Sequence, residues 1–542
     1  MTSSQRWTMV AAILGSSMVF LDGTIVNLAL PRIGHELPAT LVSTLEGQTY
    51  AVSGYLATLA ALLILAGALG DYYGRRRVFA IGLTGFGIAS VLCGLAPTLE
   101  LFVAFRIFQG AAGALLVPGS LAILTAVFEG PQRARVFGIW ASATSATTLL
   151  GPLVGGLFVD NLSWRAAFLI NLPLVLVALF ATIRHMPETK AEGASGSFDW
   201  LGAAVAVVAV GGIAFGTIRG QDRQWQDPLA WAALIIGIVA LIAFPILMAR
   251  RPNPLVPLSL FRRRKFSTIN LSTLLIYGAL YTIGTFQGLF LQGTVGYTAT
   301  AVGIVGIPTG IILTVFSTRV GTLAGRYGPR PFLVAGPLLM AAGLLWLGRI
   351  PVETQPWKLE LGSPSTYLPP VSTVVDVLPY VLLFGIGITL VVAPLTSTLM
   401  SSVPVRNAGL ASAINNAISR VGQPLLSALI FVVVSGSFYT ALAAAVPGVD
   451  AADPALRAQV QPLNPPAPGT PPEVADAAKT ASVDALRLAV VVCAGLLALG
   501  ALTNGIGLRE RPASDEGGGA ERERAPTGDD AGSPGEVGSA VG

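Results

Sequence analysis

Long apolar runs separated by short polar turns fill the sequence as far as position 508. Fourteen of these runs approach or exceed the roughly 20 residues that an α-helix needs to cross the hydrocarbon core of a bilayer. They lie at 8–30, 51–69, 78–96, 101–125, 136–159, 166–183, 200–218, 229–249, 267–291, 301–323, 331–349, 377–400, 408–436 and 485–508. The pattern predicts fourteen transmembrane helices, an even number that places both chain ends on one side of the membrane.

Composition supports a membrane protein. Hydrophobic residues make up 53% of the 542 positions and charged residues 11%, with a mean hydropathy of +0.70, whereas soluble domains carry roughly 25% charged residues. We therefore predict an all-α polytopic membrane protein. A cleaved signal peptide is a competing interpretation of the first run, but that run is long, contains Asp22 and is closely followed by the next run.

The sequence also disfavours several classes of function. The net charge of +5 comes from basic residues dispersed over many loops, which argues against nucleic-acid binding. Cys93 and Cys493 lie in apolar runs and His35 and His185 in loops, so we expect neither a disulfide framework nor a metal site. There is no phosphate-binding loop and no nucleophile–histidine–acid set, so we predict no enzyme, no catalytic residue and no cofactor.

Lysine and arginine are unequally distributed between the two sets of loops. With the N-terminus inside, 22 of them fall in inside segments and 9 in outside segments. Short loops rich in these residues stay in the cytoplasm. The bias predicts cytoplasmic N- and C-termini.

The turn between the second and third runs is the most strongly charged short turn; it reads G-A-L-G-D-Y-Y-G-R-R-R from position 67 to 77. Its glycines permit a tight reversal and close helix contact, and its acid carries charge where the next helix starts and can pair with the arginines. It predicts a turn at the cytoplasmic surface, for which a purely topological anchor is the simplest interpretation.

This turn recurs in weaker form at 321–330, where Gly325 replaces Asp71, and the repeat predicts a duplicated transporter. We expect the following organisation: an N-terminal six-helix bundle at 1–184, an inserted helix pair with flanking cytoplasmic linkers at 185–265, a C-terminal six-helix bundle at 266–508 with a long external loop at 437–484, and a disordered cytoplasmic tail at 509–542.

Two charges within the spans are the main candidates for chemistry. Asp22 is the only carboxylate well inside a predicted span, and intramembrane acids commonly mark proton or ion pathways; a neutral Asp22 that fixes helix packing is the alternative. Arg106 keeps its proton and needs a counter-charge, water or carbonyl partners. The functional interpretation is that Arg106 holds water or biases a nearby carboxylate towards proton release, and a structural tie to backbone carbonyls is the alternative.

Other polar or flexible positions are weaker candidates, and each could equally serve helix packing. The fifth span carries a bendable cluster of Gly151, Pro152, Gly155 and Gly156. Arg420 lies near the middle of its span. The residues expected to line a substrate cavity are Gln109, Tyr277, Tyr281, Gln287, Asn415, Asn416 and Arg420.

Five motifs in order resemble the major facilitator superfamily, specifically its drug:proton antiporter branch with fourteen spans (EmrB/QacA-like). They are L-D-G-T-I-V-N-L-A-L-P at 21–31, the turn at 67–77, R-I-F-Q-G-A-A-G-A at 106–114, L-G-P-L-V-G-G at 150–156 and S-W-R-A-A-F-L-I-N-L-P at 163–173. The resemblance covers nearly the whole chain to about position 508.

This resemblance implies two six-helix bundles plus a two-helix insertion, working by alternating access. Proton entry would drive export of hydrophobic drugs or secondary metabolites across the bacterial plasma membrane. By motif, Asp22 would couple to protons, Arg106 would modulate it, and the cluster at 151–156 would shape the antiporter helix. Asp71 and Arg75 would latch the cytoplasmic side, in a cytoplasmic gate formed by Gly67, Asp71, Gly74, Arg75 and Arg76.

Two departures and two alternatives stay open. Thr147 stands where the helix-five motif usually begins with glycine, and no second intramembrane acid is evident, with Asp376 only a fallback near the outer end of its span. A dedicated lipid, pigment or peptide exporter would contact an envelope partner through 437–484. A receptor on the same fold would bind ligand without uphill flux.

Overall fold

The structure is a computed structural model, and it describes residues 1–38, 44–161, 163–190, 198–222, 226–360, 362–447, 449–450, 453–467 and 469–509. Every regular element in these ranges is helical. Residues 1–508 form one compact unit. The predicted tail lies outside the described residues, except for Arg509.

Eight helices make up the part of the chain that we call the first half. They are α1 Ser3–Glu36, α2 Thr44–Tyr73, α3 Arg75–Gly94, α4 Leu99–Ala114, α5 Val117–Val127, α6 Gly130–Asn161, α7 Ala166–Leu169 and α8 Asn171–His185. The fourth predicted span is interrupted between α4 and α5, where Pro118 occupies the first turn of α5 and cannot donate a backbone hydrogen bond. The sixth span is likewise divided into α7 and α8.

Three helices follow in the region predicted to be an insertion: α9 Trp200–Asp222, α10 Pro228–Arg250 and the short α11 Ser259–Arg262. The helices α9 and α10 pack against each other, and α9 also packs on α2. At Gly212 and Gly216 the α10 backbone comes so close that a β-carbon on α9 would lie 2.8 Å and 2.7 Å from α10 atoms. The pair therefore forms a tight hairpin that is attached mainly to α2 of the first half and also contacts the helix Ala408–Ala445 of the second half.

Seven helices make up the second half: α12 Arg264–Phe290, α13 Ala299–Tyr327, α14 Arg330–Leu347, α15 Leu378–Ser401, α16 Ala408–Ala445, α17 Pro454–Gln459 and α18 Pro472–Gly507. Short π-helical turns extend α12 through Leu291–Val295 and precede α15 at Thr373–Val377. The helices α16 and α18 reach beyond the predicted spans, so much of the segment expected as an external loop at 437–484 is helix.

Twelve spans among the described residues are long and apolar enough to cross a membrane. The helices α1 and α6 lie outside these twelve, but they are 34 and 32 residues long and cover the first and fifth predicted spans. The architecture is thus all-helical with twelve to fourteen apolar helices, consistent with fourteen spans. This confirms the predicted fold class.

We call the end of the molecule that carries the start of α1 and the α2–α3 turn the basic side. There, the Ser4 hydroxyl donates to the carbonyl oxygen of His185 at 2.6 Å, and Arg76 Nη2 donates to that of Ile183 at 2.7 Å. The end of α8 therefore lies at the same side as the start of α1.

On the opposite side, the end of α1 is attached to the segment before α7. The carboxylate of Glu36 accepts hydrogen bonds from Trp164 Nε1 at 2.8 Å and Arg165 Nη1 at 3.0 Å. The hydrogen bond from Trp164 lowers the pKa of Glu36 against the opposing effect of burial, and Arg165 adds to the lowering. This contact fixes the end of α1, the helix that carries Asp22, to the segment that leads into α8.

The two halves approach most closely near the basic side, where α2 packs on α16 and α6 on α13. A β-carbon on Gly67 would lie 2.5 Å from both the carbonyl oxygen of Gly409 and the β-carbon of Ala413. A β-carbon on Gly138 would lie 2.8 Å from the Cα of Thr318. Such backbone contact requires glycine, and it closes the basic side of the seam between the halves.

Candidate functional site

A buried ion pair joins Asp22 on α1 to Arg106 on α4. Arg106 Nη1 donates to Asp22 Oδ2 at 2.5 Å, and each side chain is about 1% exposed. Removing one partner of a buried pair leaves an uncompensated charge, which costs roughly 3–5 kcal/mol. The structure thus brings together the two intramembrane charges that the sequence singled out.

Gln109, one helical turn beyond Arg106, completes the coordination of the acid. Its Nε2 donates to Asp22 Oδ1 at 3.0 Å, and its Oε1 accepts from Arg106 Nη1 at 2.6 Å. Both carboxylate oxygens of Asp22 are therefore hydrogen-bonded. The i, i+3 spacing of Arg106 and Gln109 places both side chains on one face of α4. Gln109 was expected to line a substrate cavity, but it is fully buried beside the acid.

Sequence reasoning missed three further members of this cluster. The ring of Tyr55 on α2 lies under Arg106, 4.1 Å from its Cζ. Ser90 on α3 accepts from Gln109 Nε2 at 3.4 Å and from Asn171 Nδ2 on α8 at 3.0 Å. Single small polar residues within apolar runs give no spacing signal. We call these six residues (Asp22, Tyr55, Ser90, Arg106, Gln109 and Asn171) the Asp22 network.

The Asp22 network is a charge-sensitive connection among α1, α2, α3, α4 and α8. Protonation of Asp22 removes the negative partner of Arg106 while the guanidinium stays charged. Arg106 then keeps Gln109 Oε1 and, through Nε at 3.3 Å, the carbonyl oxygen of Ala51. A single proton can therefore change how tightly α1 is held to α4.

A second charged cluster, which we call the latch, links the halves at the basic side. Asp71 Oδ1 accepts from Arg75 Nε at 2.9 Å and from the backbone N–H of Gly409 at 3.2 Å, while Oδ2 accepts from the N–H of Leu410 at 2.9 Å. Arg75 Nη2 also donates to the carbonyl oxygen of Val405. An acid at the first turn of α16 satisfies free N–H groups and suits the helix dipole.

The rest of the charged turn does not pair with Asp71 as expected. Arg76 donates its backbone N–H to Glu188 Oε1 at 3.1 Å, and Arg77 pairs with the same carboxylate at 3.7 Å. Gly74 has φ +114°, and a β-carbon there would lie 2.6 Å from Glu188 Oε1. Gly74 and these arginines therefore hold the turn to its own half, and Arg75 alone joins Asp71 in the latch.

The repeated turn in the second half closes without charge. Gly325, the counterpart of Asp71, faces α6, where its β-carbon would lie 3.0 Å from that of Ala134. A cavity of about 360 Å³ is lined there by Gly130, Ala134, Gly325 and neighbouring residues of α13 and α15. The basic side is thus latched by an acid at α16, whereas the contact of Gly325 with α6 involves no charge.

The residues expected to line a substrate cavity do not lie together in one cavity among the described residues. Asn415 donates to Asn270 Oδ1 at 3.2 Å and Thr273 Oγ1 at 2.7 Å on α12, so it connects helices within the second half. Gln287 accepts from the Tyr380 hydroxyl at 2.5 Å. These two residues serve packing contacts in the structure.

The side chains of the other residues expected to line the cavity are partly exposed. The rings of Tyr277 and Tyr281 are 6.0 Å apart, and Tyr281 is 38% exposed. Asn416 donates to the carbonyl oxygen of Ser412 in its own helix, and Arg420 is half-buried. Of the predicted antiporter helix, α6 is continuous through Gly151, but the side chains at 152–161 lie outside the described residues.

The chain is similar to known membrane transporters in sequence and in fold. A profile of the Major Facilitator Superfamily matches residues 12–427, which is most of the chain. The chain belongs to the major facilitator superfamily. Membership in this family, together with the relatives below, makes the protein a multi-pass membrane transporter and not an enzyme.

Its relatives in the superfamily include drug-resistance and export proteins. The chain is 33% identical over 426 residues to a "Multidrug resistance protein Stp" of Mycobacterium tuberculosis, covering 78% of this chain and 75% of that one. It is 31% identical to the "Tetracenomycin C resistance and export protein" of Streptomyces glaucescens (79% and 76% covered) and 30% identical to the "Puromycin resistance protein pur8" of Streptomyces alboniger (80% and 82%). These relatives support the predicted resemblance to drug-exporting members.

Solved structures of the superfamily share the fold. The human organic anion transporter MFSD10 superposes with a TM-score of 0.56 at 15% identity, covering 93% of this chain and all of that one. The proton:xylose symporter XylE gives 0.55 at 15% identity, covering 92% and 95%. At this identity the likeness shows the fold alone.

Substituting Asp71 in this major facilitator protein is expected to favour opening of the basic side. Asp71→Asn loses the charge that binds Arg75 and the α16 N–H groups, and hydrogen bonds to charged groups contribute roughly 1.5–3 kcal/mol. Spin labels on the exposed Gln132 and Arg326, at the basic ends of α6 and α13, would report a population shifted roughly tenfold or more towards longer distances. Arg77→Gln is the matched control, since Arg77 pairs within the first half; an equal shift in both variants would contradict the latch.

Proposed function

We propose that this protein exports hydrophobic drugs or secondary metabolites across the bacterial plasma membrane, driven by proton entry through antiport. The observation that carries the proposal is the Asp22 network, a buried, fully hydrogen-bonded acid–arginine pair within a transporter fold. The relatives named as resistance and export proteins support the substrate class. The lysine and arginine bias supports a cytoplasmic location for the basic side and for both chain ends.

The network supplies the proton-dependent step. In the ionised state Asp22 binds Arg106 and Gln109 and holds α1 to α4. A proton arriving from the outer side neutralises Asp22 and removes this bond. Its later release to the cytoplasm restores the ion pair, so the tightness of the first half alternates with the protonation state.

The latch supplies the conformational step. In the structure, the basic side, which we assign to the cytoplasm, is closed through Asp71, Gly67 and the contacts of α6 with α13. Loading of substrate from the cytoplasm requires these contacts to separate, and release to the outside requires them to form. The bend expected at Pro152 in α6 and the gate role of Gly74 and Arg76 stay predictions.

A dedicated exporter of lipid, pigment or peptide that uses an envelope partner remains the second hypothesis. The segment assigned to that partner is docked on its own half: the Tyr439 hydroxyl donates to the carbonyl oxygen of Val460 at 3.1 Å, and the N–H of Leu463 donates to Ser482 Oγ at 3.2 Å. These contacts give the segment a role within the transporter, so no observation favours the partner hypothesis.

The experiment that tests the proposal is uptake of lipophilic dyes and antibiotics by inside-out vesicles. With wild-type protein, uptake is expected on energisation and is expected to collapse when an uncoupler is added. Uptake that persists after the proton gradient is removed would contradict proton coupling. A panel that does not move at all, with protein that is folded and monodisperse, would contradict the drug-export assignment.

A further inference from the structure

We propose that Arg420 on α16 is the charged group of the substrate site and that it selects compounds carrying an anionic group, such as a carboxylate or an acidic phenol, over cationic ones. This inference rests on the proposed export function and specifies its substrate class. It follows from the place of Arg420 on its helix, from its lack of a partner and from the balance of charges between the halves.

Arg420 lies on the face of α16 that is turned towards the first half. Gly409 and Ala413 on this face contact Gly67 of α2, and Arg420 follows Ala413 by seven residues, two turns along the same face. At 1.5 Å per residue it lies about 10 Å further from the closed basic side.

Arg420 differs from the other intramembrane arginine in having no hydrogen bond or ion pair within the part of the chain that the structure describes. Arg106 donates hydrogen bonds to the side chains of Asp22 and Gln109 and to the carbonyl oxygen of Ala51. Near Arg420, the Ser419 hydroxyl instead donates to the carbonyl oxygen of Asn416 in the same helix. A half-buried guanidinium that cannot lose its proton and has no partner among the described residues calls for a ligand or for water.

The acids of the chain cannot neutralise Arg420 or bind a cationic substrate in its place. Asp22 is held by Arg106 and Gln109, and Asp71 by the latch. Asp376 lies in the turn before α15 at the opposite side, where it accepts from Thr354. Since the other acidic residues fall at or beyond the span ends, the middle of the seam carries an uncompensated positive charge.

The chemistry of the guanidinium specifies the ligand. Its planar fork presents two parallel N–H donors that match a carboxylate or a chelating enolate. A cation at the same place would meet a like charge without a carboxylate to offset it. A hydrophobic body with one acidic group therefore suits this position, and a lipophilic cation does not.

The test uses three matched probes: anthraquinone-2-carboxylate, its methyl ester, and an anthraquinone that carries a quaternary ammonium group at the same position. Uptake into energised inside-out vesicles is compared for wild type, Arg420→Gln and Arg420→Lys. Arg349→Gln is the control, because Arg349 is exposed at the end of α14 on the opposite side. We expect wild type to prefer the carboxylate over the quaternary ammonium probe.

In Arg420→Gln, the KM for the carboxylate is expected to rise tenfold or more while that for the ester changes less than twofold. Arg420→Lys, which keeps the charge but loses the fork, should lie between these limits. Equal effects on carboxylate and ester, or a wild-type preference for the quaternary ammonium probe, would overturn the inference. Failure of wild type to move even the ester would count against proton-driven export itself; carboxylate binding to purified protein, measured by fluorescence quenching, would then still test Arg420.

Discussion

Asp22→Asn is expected to reduce proton-driven uptake to the background of empty vesicles. Asparagine has nearly the shape of aspartate but neither gains nor loses a proton. The loss of uptake would therefore come from the missing proton site and not from a change in side-chain shape. The substitution also leaves the buried charge of Arg106 without its partner, which should destabilise the protein by roughly 3–5 kcal/mol. Initial uptake rates and thermal unfolding of the purified variant measure the two effects.

The control for this prediction is the double variant Asp22→Asn with Arg106→Gln. Because it removes both charges of the buried pair, it should recover much of the lost stability. Uptake should nevertheless stay at background, since no carboxylate remains in the Asp22 network. Proton-driven uptake by the stable double variant would show that the proton is carried elsewhere, with Asp376 the next candidate.

Gly67→Val is expected to prevent closure of the basic side and to abolish uptake. The first added carbon would lie 2.5 Å from both the Gly409 carbonyl oxygen and the Ala413 β-carbon, and backbone atoms cannot move aside as a flexible side chain can. The protein should accumulate with the basic side open. Labels on Gln132 and Arg326 would then report the longer distance in nearly all molecules.

Gly70→Ala is the matched control for Gly67→Val. Gly70 is on the same helix nearly one turn later, and a β-carbon there would meet only Arg75 Cγ at 4.0 Å. Uptake and label distances in Gly70→Ala should therefore match those of wild type. If Gly67→Val transports normally, the contact between α2 and α16 is not part of the transport cycle.

The helical architecture was predictable because bilayer thickness determines the length of a span, and apolar runs of that length are visible without any tertiary information. The ends of α16 and α18 were not predictable in this way. Their outer parts, such as Pro472 to Ser482, are polar enough to look like a loop. They become helical because residues such as Leu442 on α16 and Ala478 on α18 are buried in the apolar core.

The candidate site was predictable where a charge lies in an apolar run and not where tertiary contact decides. Asp22 and Arg106 stand out because a charge within a span is costly. Tyr55, Ser90 and Asn171 do not, since each is an ordinary residue until the fold assembles it around Arg106. Asp71 was predicted as a gate residue, but its partners on α16 were not, because they lie more than 300 residues away in the chain.

The two repeated turns contact the opposite half in physically different ways. Asp71 fixes α16 through charge, whereas Gly325 only packs against α6 beside a cavity. Charge therefore holds α2 to α16, whereas close packing and a hydrogen bond of 3.1 Å between Ser142 and Thr318 hold α6 to α13.

The measurement that tests the account most directly is proton movement driven by substrate alone. Proteoliposomes are loaded with the vesicle substrate that shows the fastest uptake and with a pH-sensitive dye, and are diluted without any imposed pH gradient. As the substrate leaves through the protein, we expect the interior to acidify, and we expect no acidification with Asp22→Asn. Substrate efflux through wild-type protein with no change in internal pH would contradict antiport.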